Sequence, residues 1–248
     1  MKSGGKTKKL GFIIMLALCL VVFFEETSET SMSEVELTKE EQLQLIRDDI
    51  FKGFASGAYL PRYKDGYSKL ADILMLAEYI NKVTMRKSSP LRCYIVAKRI
   101  VERATVKSPR FSSHFDYVSF LSLMVGLIKK ESTFNPWARS HKNAVGLMQV
   151  HIPTWGRYIS AQEATNIQRN LEFGTKILYH YYLKSGKDIE RTLGYYYGAR
   201  DNRYITSVLR NAVRFKEAYN RNIGTFTSIA ENFYLQHSGK NRDEVRQN

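Results

Sequence analysis

Apolar residues recur at spacings of three and four in one segment after another of this 248-residue chain, and no run alternates long enough to read as an extended strand. That period gathers side chains onto one face of an α-helix. Residues 39–54 carry Leu43, Ile46, Ile50 and Phe54 behind Thr38, and Glu41 three residues after Thr38 completes a capping box. Residues 67–85 repeat the pattern with Leu70, Ile73, Leu74, Ala77 and Ile80. A third helix is expected over 91–106, entered through Pro90 and left before Pro109, and a fourth over 115–130. Residues 137–152 have no helical period and contain Asn143 and Gly146, which predicts an irregular loop with a short hairpin. Helical spacing resumes over 153–158, 166–183, 189–197 and 204–219, and no internal repeat is present. The expected fold class is all-α.

The N-terminus reads differently. Residues 10–24 carry no charge; Lys2, Lys6, Lys8 and Lys9 precede them, and Glu25, Glu26 and Glu29 follow. A basic region before an apolar one marks a signal peptide or signal anchor at residues 1–24. The run is shorter than the ~20 residues that span a bilayer comfortably, and no small-x-small cleavage pattern follows it, so both fates stay open. Either way the rest of the chain is placed on the periplasmic side of the inner membrane. Residues 25–36, rich in Glu, Ser and Thr, read as a flexible acidic linker. Residues 239–248 read as a loose charged tail. Beyond the apolar run the only cysteine is Cys93, which cannot form an internal disulfide, so packing alone must hold the exported part together.

The formal charge is +14, and without residues 1–36 the remainder carries 34 basic and 19 acidic residues. Such a balance suits nucleic acid, an anionic lipid surface or an acidic wall polymer. Export argues against nucleic acid. His141 and His151 have no carboxylate or cysteine cluster beside them, so no metal and no cofactor is expected.

Glu131 stands out against this background. Val118, Leu121, Val125 and Ile128 share one helical face, and Glu131 is the next position on it. A carboxyl directed toward a core is disfavoured in its charged form, which raises its pKa toward the range a general acid needs. A surface or capping glutamate before Pro136 would occupy the same position, and only context separates the two readings.

That context is Glu131-Ser132-Thr133-Phe134-Asn135-Pro136, then Ala138, Ser140 and Ala144, then Gly146-Leu147-Met148-Gln149 with Pro153-Thr154. Asn170-Leu171 with Gly174, and Leu193 to Gly198, follow in order. Over about residues 113–215 this series resembles the signature of the bacterial lytic transglycosylases of the soluble-lytic-transglycosylase type, relatives of goose-type lysozyme. The resemblance implies a lysozyme-like catalytic domain over residues 111–238, preceded by a helical segment at 37–110 that it does not cover. It also implies action on peptidoglycan strands, with cleavage of the β-1,4 bond between N-acetylmuramic acid and N-acetylglucosamine to leave a 1,6-anhydro ring. Glu131 would be the catalytic acid. No Asp or Glu falls between Ser132 and Gln162, in keeping with a route that uses one carboxylate rather than two.

The same resemblance implies substrate-binding roles for Ser132, Ser140, Gly146, Met148, Gln149, Tyr196 and Tyr197, with the Tyr196 phenol lying near the acid. Each has a plainer reading: a local cap for Ser132, a solvated loop for Ser140, a turn for Gly146, core packing for Met148. Two positions depart from the pattern. Tyr197 stands where the family usually has Asn, and Asn143 where it usually has Gly. Trp155, Tyr158, Tyr181 and Tyr182 offer flat faces suited to sugars or to core packing, and Arg139, Lys142, Arg157, Arg200 and Arg203 lie near the motifs. Two rivals to the lytic activity remain: a catalytically weak glycan-binding component of an envelope assembly, and a hydrolytic muramidase.

Overall fold

The computed structural model describes residues 37–59, 68–107, 111 and 115–239. The export segment expected at 1–24, the linker at 25–36 and all but the first residue of the tail lie outside them.

Two compact units divide at Ala58 and Tyr59. Among the described residues the first holds one helix, α1 (Lys39–Ala55), with Leu43, Ile46, Ile50 and Phe54 buried as their spacing predicts. Its capping box is formed: the Thr38 backbone N–H donates to Glu41 Oε2 at 2.6 Å, and the Glu41 N–H donates to the Thr38 hydroxyl at 3.2 Å.

The second unit holds α2 (Ser68–Val83), α3 (Pro90–Lys107), α4 (Tyr117–Ser132), a two-stranded hairpin of β1 (Ala144–Val145) and β2 (Val150–His151), α5 (Ile152–Trp155), α6 (Ile167–Lys184), α7 (Ile189–Tyr197) and α8 (Asn202–Ser238). The hairpin is antiparallel, Ala144 opposite His151 and Val145 opposite Val150. The fold is therefore predominantly helical with a minimal sheet. No helix among the described residues is long and apolar enough to cross a membrane.

Helix α4 is the hub. Every residue from Phe120 to Ile128 is buried, so it is apolar on all sides, as a central helix must be. It packs most extensively against α8, while α2 lies on α3 and α8, and α3 reaches α4 and α6. The α4–α8 crossing is close because position 126 is glycine: a Cβ there would stand 2.6 Å from the Val208 carbonyl oxygen and 2.7 Å from the Ala212 nitrogen. A carboxylate is buried in the same layer. Asp72, 3% exposed on α2, accepts hydrogen bonds from Tyr117 of α4 at 2.8 Å and Tyr219 of α8 at 2.7 Å, one to each oxygen. Burial pushes its pKa up to about 6 against the pull of both phenols. Cys93 is buried too, and burial raises its thiol to about 11, which keeps it unreactive.

Helix α8 is the main departure from the periodicity reading. Its 37 residues run to Ser238 rather than ending near Tyr219. Phe226, Ala230 and Phe233 extend its buried face, although Asn220, Asn222 and Gly224 interrupt the pattern with weak helix formers.

Candidate active site

The site is assembled where the end of α4, the hairpin and the start of α8 meet. Helix α4 begins at Asp116, whose carboxylate accepts from the Ser119 N–H, and ends with Glu131 in its last turn. Thr133 and Phe134 then take left-handed conformations (φ 50° and 63°) that few non-glycine residues adopt. Burial of the Phe134 ring, edge-on to Tyr79 of α2, anchors this reversal. The chain thereby leaves the helix abruptly, and Glu131 remains half-buried at its end.

The hairpin is tied to that end. The Ser132 hydroxyl lies 2.8 Å from the Leu147 carbonyl and 3.1 Å from that of Ile128, bridging α4 to the hairpin turn. Asn170, buried in α6, holds the other side: its amide nitrogen donates to Val145 at 2.9 Å and Ala164 at 2.8 Å, and its oxygen accepts from the Met148 N–H at 2.8 Å. Gly146 is required for this approach. Its φ is +82°, and a Cβ would stand 2.2 Å from the Asn170 amide nitrogen.

Helices α7 and α8 bring the tyrosines. Gly198 (φ +84°) ends α7, and Asp201 caps α8 by accepting from the N–H groups of Arg203 and Tyr204. This short connection sets Tyr204 in the first turn of α8, facing α4. Its hydroxyl donates to Glu131 Oε1. Tyr197 stacks on Tyr204 with ring centres 4.3 Å apart and planes 20° from parallel, and the Lys130 ammonium lies 5.9 Å from the centre of the Tyr204 ring.

Electrostatics follow from that packing. Burial raises the pKa of Glu131 above the ordinary carboxyl value, opposed by the Tyr204 hydrogen bond and the Lys130 charge. Burial, then the Glu131 charge, raises both Tyr204 and Tyr196, so both phenols stay protonated.

The structure brings Glu131, Ser132, Gly146, Met148, Gln149, Tyr196 and Tyr197 into one neighbourhood, with different duties. The expected phenol on the acid is Tyr196, but the bond belongs to Tyr204; the Tyr196 hydroxyl instead donates to the Met148 carbonyl at 2.8 Å. Met148 is fully buried, its thioether against Gly174. Gln149 (φ 46°) donates to the carbonyls of Ala138 and Gly146, both at 3.0 Å, and so braces the loop. Ser140 turns back on its own loop, accepting from the Ala144 N–H at 3.0 Å and that of Lys142 at 3.3 Å. Arg139, Lys142, Arg157, Arg200 and Arg203 are exposed, and Tyr182 is core. Sequence reasoning missed Tyr204 as a site residue. The available signal was Asp201, a helix cap that puts Tyr204 in the first turn of the helix after the tyrosine motif.

Residues 116–213 match the family described as the transglycosylase SLT domain. Among curated proteins the chain is similar to membrane-bound lytic murein transglycosylase C of Glaesserella parasuis serovar 5 (strain SH0165), 30% identical over 129 residues, covering 48% of this chain and 35% of that protein. The protein of the same name from Haemophilus influenzae (strain PittGG) is 32% identical over 114 residues, 45% of this chain and 29% of its own length. That from Actinobacillus pleuropneumoniae serotype 5b (strain L20) is 40% identical over 67 residues, 23% and 18% of the two chains. The chain thus spans about a third or less of the length of these relatives. No solved structure matches it.

Proposed function

We propose that this protein is a peptidoglycan lytic transglycosylase that cleaves the β-1,4 bond between N-acetylmuramic acid and N-acetylglucosamine without water and leaves a 1,6-anhydro-muramyl end. The observation that carries the reading is the half-buried Glu131 carboxyl, its pKa raised by burial, with Tyr204 fixing one of its oxygens. In the forward step Glu131 gives its proton to the departing glycosidic oxygen. The N-acetyl group of the muramyl sugar supports the cationic carbon, and the Glu131 carboxylate then takes the proton of the C6 hydroxyl as that oxygen closes the ring. One group serves both steps, and proton transfer of this kind contributes roughly 100- to 10,000-fold.

In this reading Ser140, Gly146, Gln149, Tyr196 and Tyr197 shape the sugar subsite, with buried Met148 holding the hairpin against Gly174 and Ser132 tying the acid to the hairpin. Residues 111–238 carry the chemistry, with α2 and α3 packed beside α4 and α8. The basic surface suits the acidic peptide stems of the wall. The membrane-bound location in the names of the relatives supports action on the periplasmic side of the inner membrane, tethered or released, alone or in an envelope assembly.

Replacing Glu131 by Gln keeps the shape and removes the transferable proton. Digests of purified sacculi by the wild type should contain anhydro-muropeptides one water lighter than hydrolysed ones, and the variant should release none while its circular dichroism is unchanged. Wild-type-level release by Glu131→Gln disproves the assignment, and products carrying the extra water identify a muramidase instead. A second reading is motivated by Tyr197, whose ring covers Tyr204 where the family usually has the smaller Asn. If that cover blocks turnover, the protein binds sacculi and releases nothing.

A further inference from the structure

One face of α6, outside the Glu131 site, presents aromatic and basic side chains together. Phe173, Lys176, Ile177, His180, Tyr181 and Lys184 follow at spacings of three and four, and none is acidic. Phe173, Lys176, Ile177 and His180 of this face, with Trp155 and Tyr158 from the segment after the hairpin, line an open groove of about 240 Å³. Tyr158 is 69% exposed at the groove rim.

The rings hold one another in fixed orientations. Trp155 meets Phe173 at 6.0 Å, His180 at 6.2 Å and Tyr181 at 6.4 Å, each near perpendicular, while Tyr158 lies at 29° to Phe173 with centres 6.5 Å apart. From Tyr181 the series continues to Tyr195, stacked at 6.0 Å with the Lys184 ammonium 4.8 Å from its ring, and to Tyr196 at 6.5 Å. Tyr196 bonds the Met148 carbonyl beside the acid. The groove wall is thus linked to the candidate active site through packed rings, while the groove lining itself ends at His180.

We propose that this groove is an auxiliary glycan-binding site that holds a stretch of the strand remote from the bond being cut. The inference rests on the substrate reading above. Flat ring faces match the apolar faces of pyranose rings. Lys176 in the groove lining, with the exposed Arg157 next to Tyr158 in the chain, suits the carboxylates of peptide stems, so the occupant is a stem-bearing strand rather than a bare one. Rings locked edge to face suit a stiff, repeating ligand better than a fluid lipid surface.

The test compares the full chain with Tyr158→Ala and with Lys176→Ala, both at exposed side chains, in co-sedimentation with purified sacculi and with anionic phospholipid vesicles. Tyr158→Ala should weaken sacculus binding roughly tenfold, about 1.4 kcal/mol, and Lys176→Ala should weaken binding to stem-bearing sacculi more than to amidase-stripped ones. Cleavage of a short soluble strand should stay at the wild-type rate, because neither Tyr158 nor Lys176 touches Glu131. Introducing both changes separately into Glu131→Gln protein reads the groove without turnover, so a failed acid assignment and a failed groove give different results. Sacculus binding unchanged in Tyr158→Ala, or lost equally on vesicles and sacculi, overturns the proposal. The second result assigns the face to a membrane surface.

Discussion

Tyr204, in the first turn of α8, donates its hydroxyl to Glu131 in the last turn of α4, and these two residues are 73 positions apart in the chain. The bond stabilises the charged carboxylate and opposes the burial that favours the acid form.

Tyr204→Phe should therefore move the pKa of Glu131 further up. A general acid works protonated, so the alkaline limb of the pH–rate profile should shift to higher pH. Loss of the orienting bond should also lower kcat by roughly tenfold, about 1.4 kcal/mol. Sacculus solubilisation across pH measures both; an alkaline limb that stays in place or moves down would remove Tyr204 from the role.

The α4–α8 crossing makes a separate prediction. At Gly126 an added methyl meets backbone atoms of α8 at 2.6 and 2.7 Å, which cannot rotate away. At Gly174 a Cβ would meet side-chain rather than backbone atoms, the Met148 Sδ at 2.6 Å and Cβ at 2.7 Å, of which only the thioether can turn aside. Gly126→Ala should cost about 1–3 kcal/mol of stability despite better helix propensity. It should also cut activity by displacing Tyr204 relative to Glu131. Thermal melts should show a smaller loss for Gly174→Ala, and equal losses would contradict the packing.

Much of the molecule is legible in its sequence. The buried stripe of α1, the isolation of Glu131 at the end of a buried helix, the hairpin near Asn143 and Gly146, and the bounds of α7 all follow from local period and punctuation. The partner of Glu131 does not, because a contact between residues 131 and 204 depends on how α8 crosses α4, and that depends on the small size of Gly126. The duties of Met148 and Ser140 are also hidden. Motif position marks a residue as near the site, whereas burial against Gly174 and a bond to one's own loop emerge only from packing. The stretch after Tyr219 keeps its apolar period through Phe226, Ala230 and Phe233, yet Asn220, Asn222 and Gly224 mask it.

Asp72 predicts a pH dependence of stability. Its folded pKa of about 6 lies above the ordinary carboxyl value of 3.8, so the folded state holds the proton more tightly. The associated stability is present in full below about pH 4 and is lost as pH rises through 6, a difference of roughly 3 kcal/mol between the two limits. Asp72→Asn keeps partners for Tyr117 and Tyr219 without a charge. Its melting temperature relative to wild type should rise from pH 4 to pH 7, and a gap that narrows over that range would mean the carboxylate is stabilised rather than strained.

Asn170 is the residue on which the hairpin depends most. Its side chain satisfies two buried carbonyls and one buried N–H, of Val145, Ala164 and Met148. Replacement by Ala leaves all three without that partner, at roughly 1–3 kcal/mol for each group that stays dry. Asp is the sharper probe: it retains the volume and the acceptor for Met148 but turns a negative oxygen toward two carbonyl oxygens. Both variants should loosen the segment from Ala138 to His151 before the helices melt, because α4 and α8 make no use of Asn170. Hydrogen exchange should therefore speed up in the hairpin amides, Val145 and Met148 included, while α4 stays protected, and activity should fall with it as Ser132 and Tyr196 lose the carbonyls of Leu147 and Met148 that they bond. If exchange rises equally in α4, Asn170 supports the whole unit and the hairpin is not a separately held part of the site.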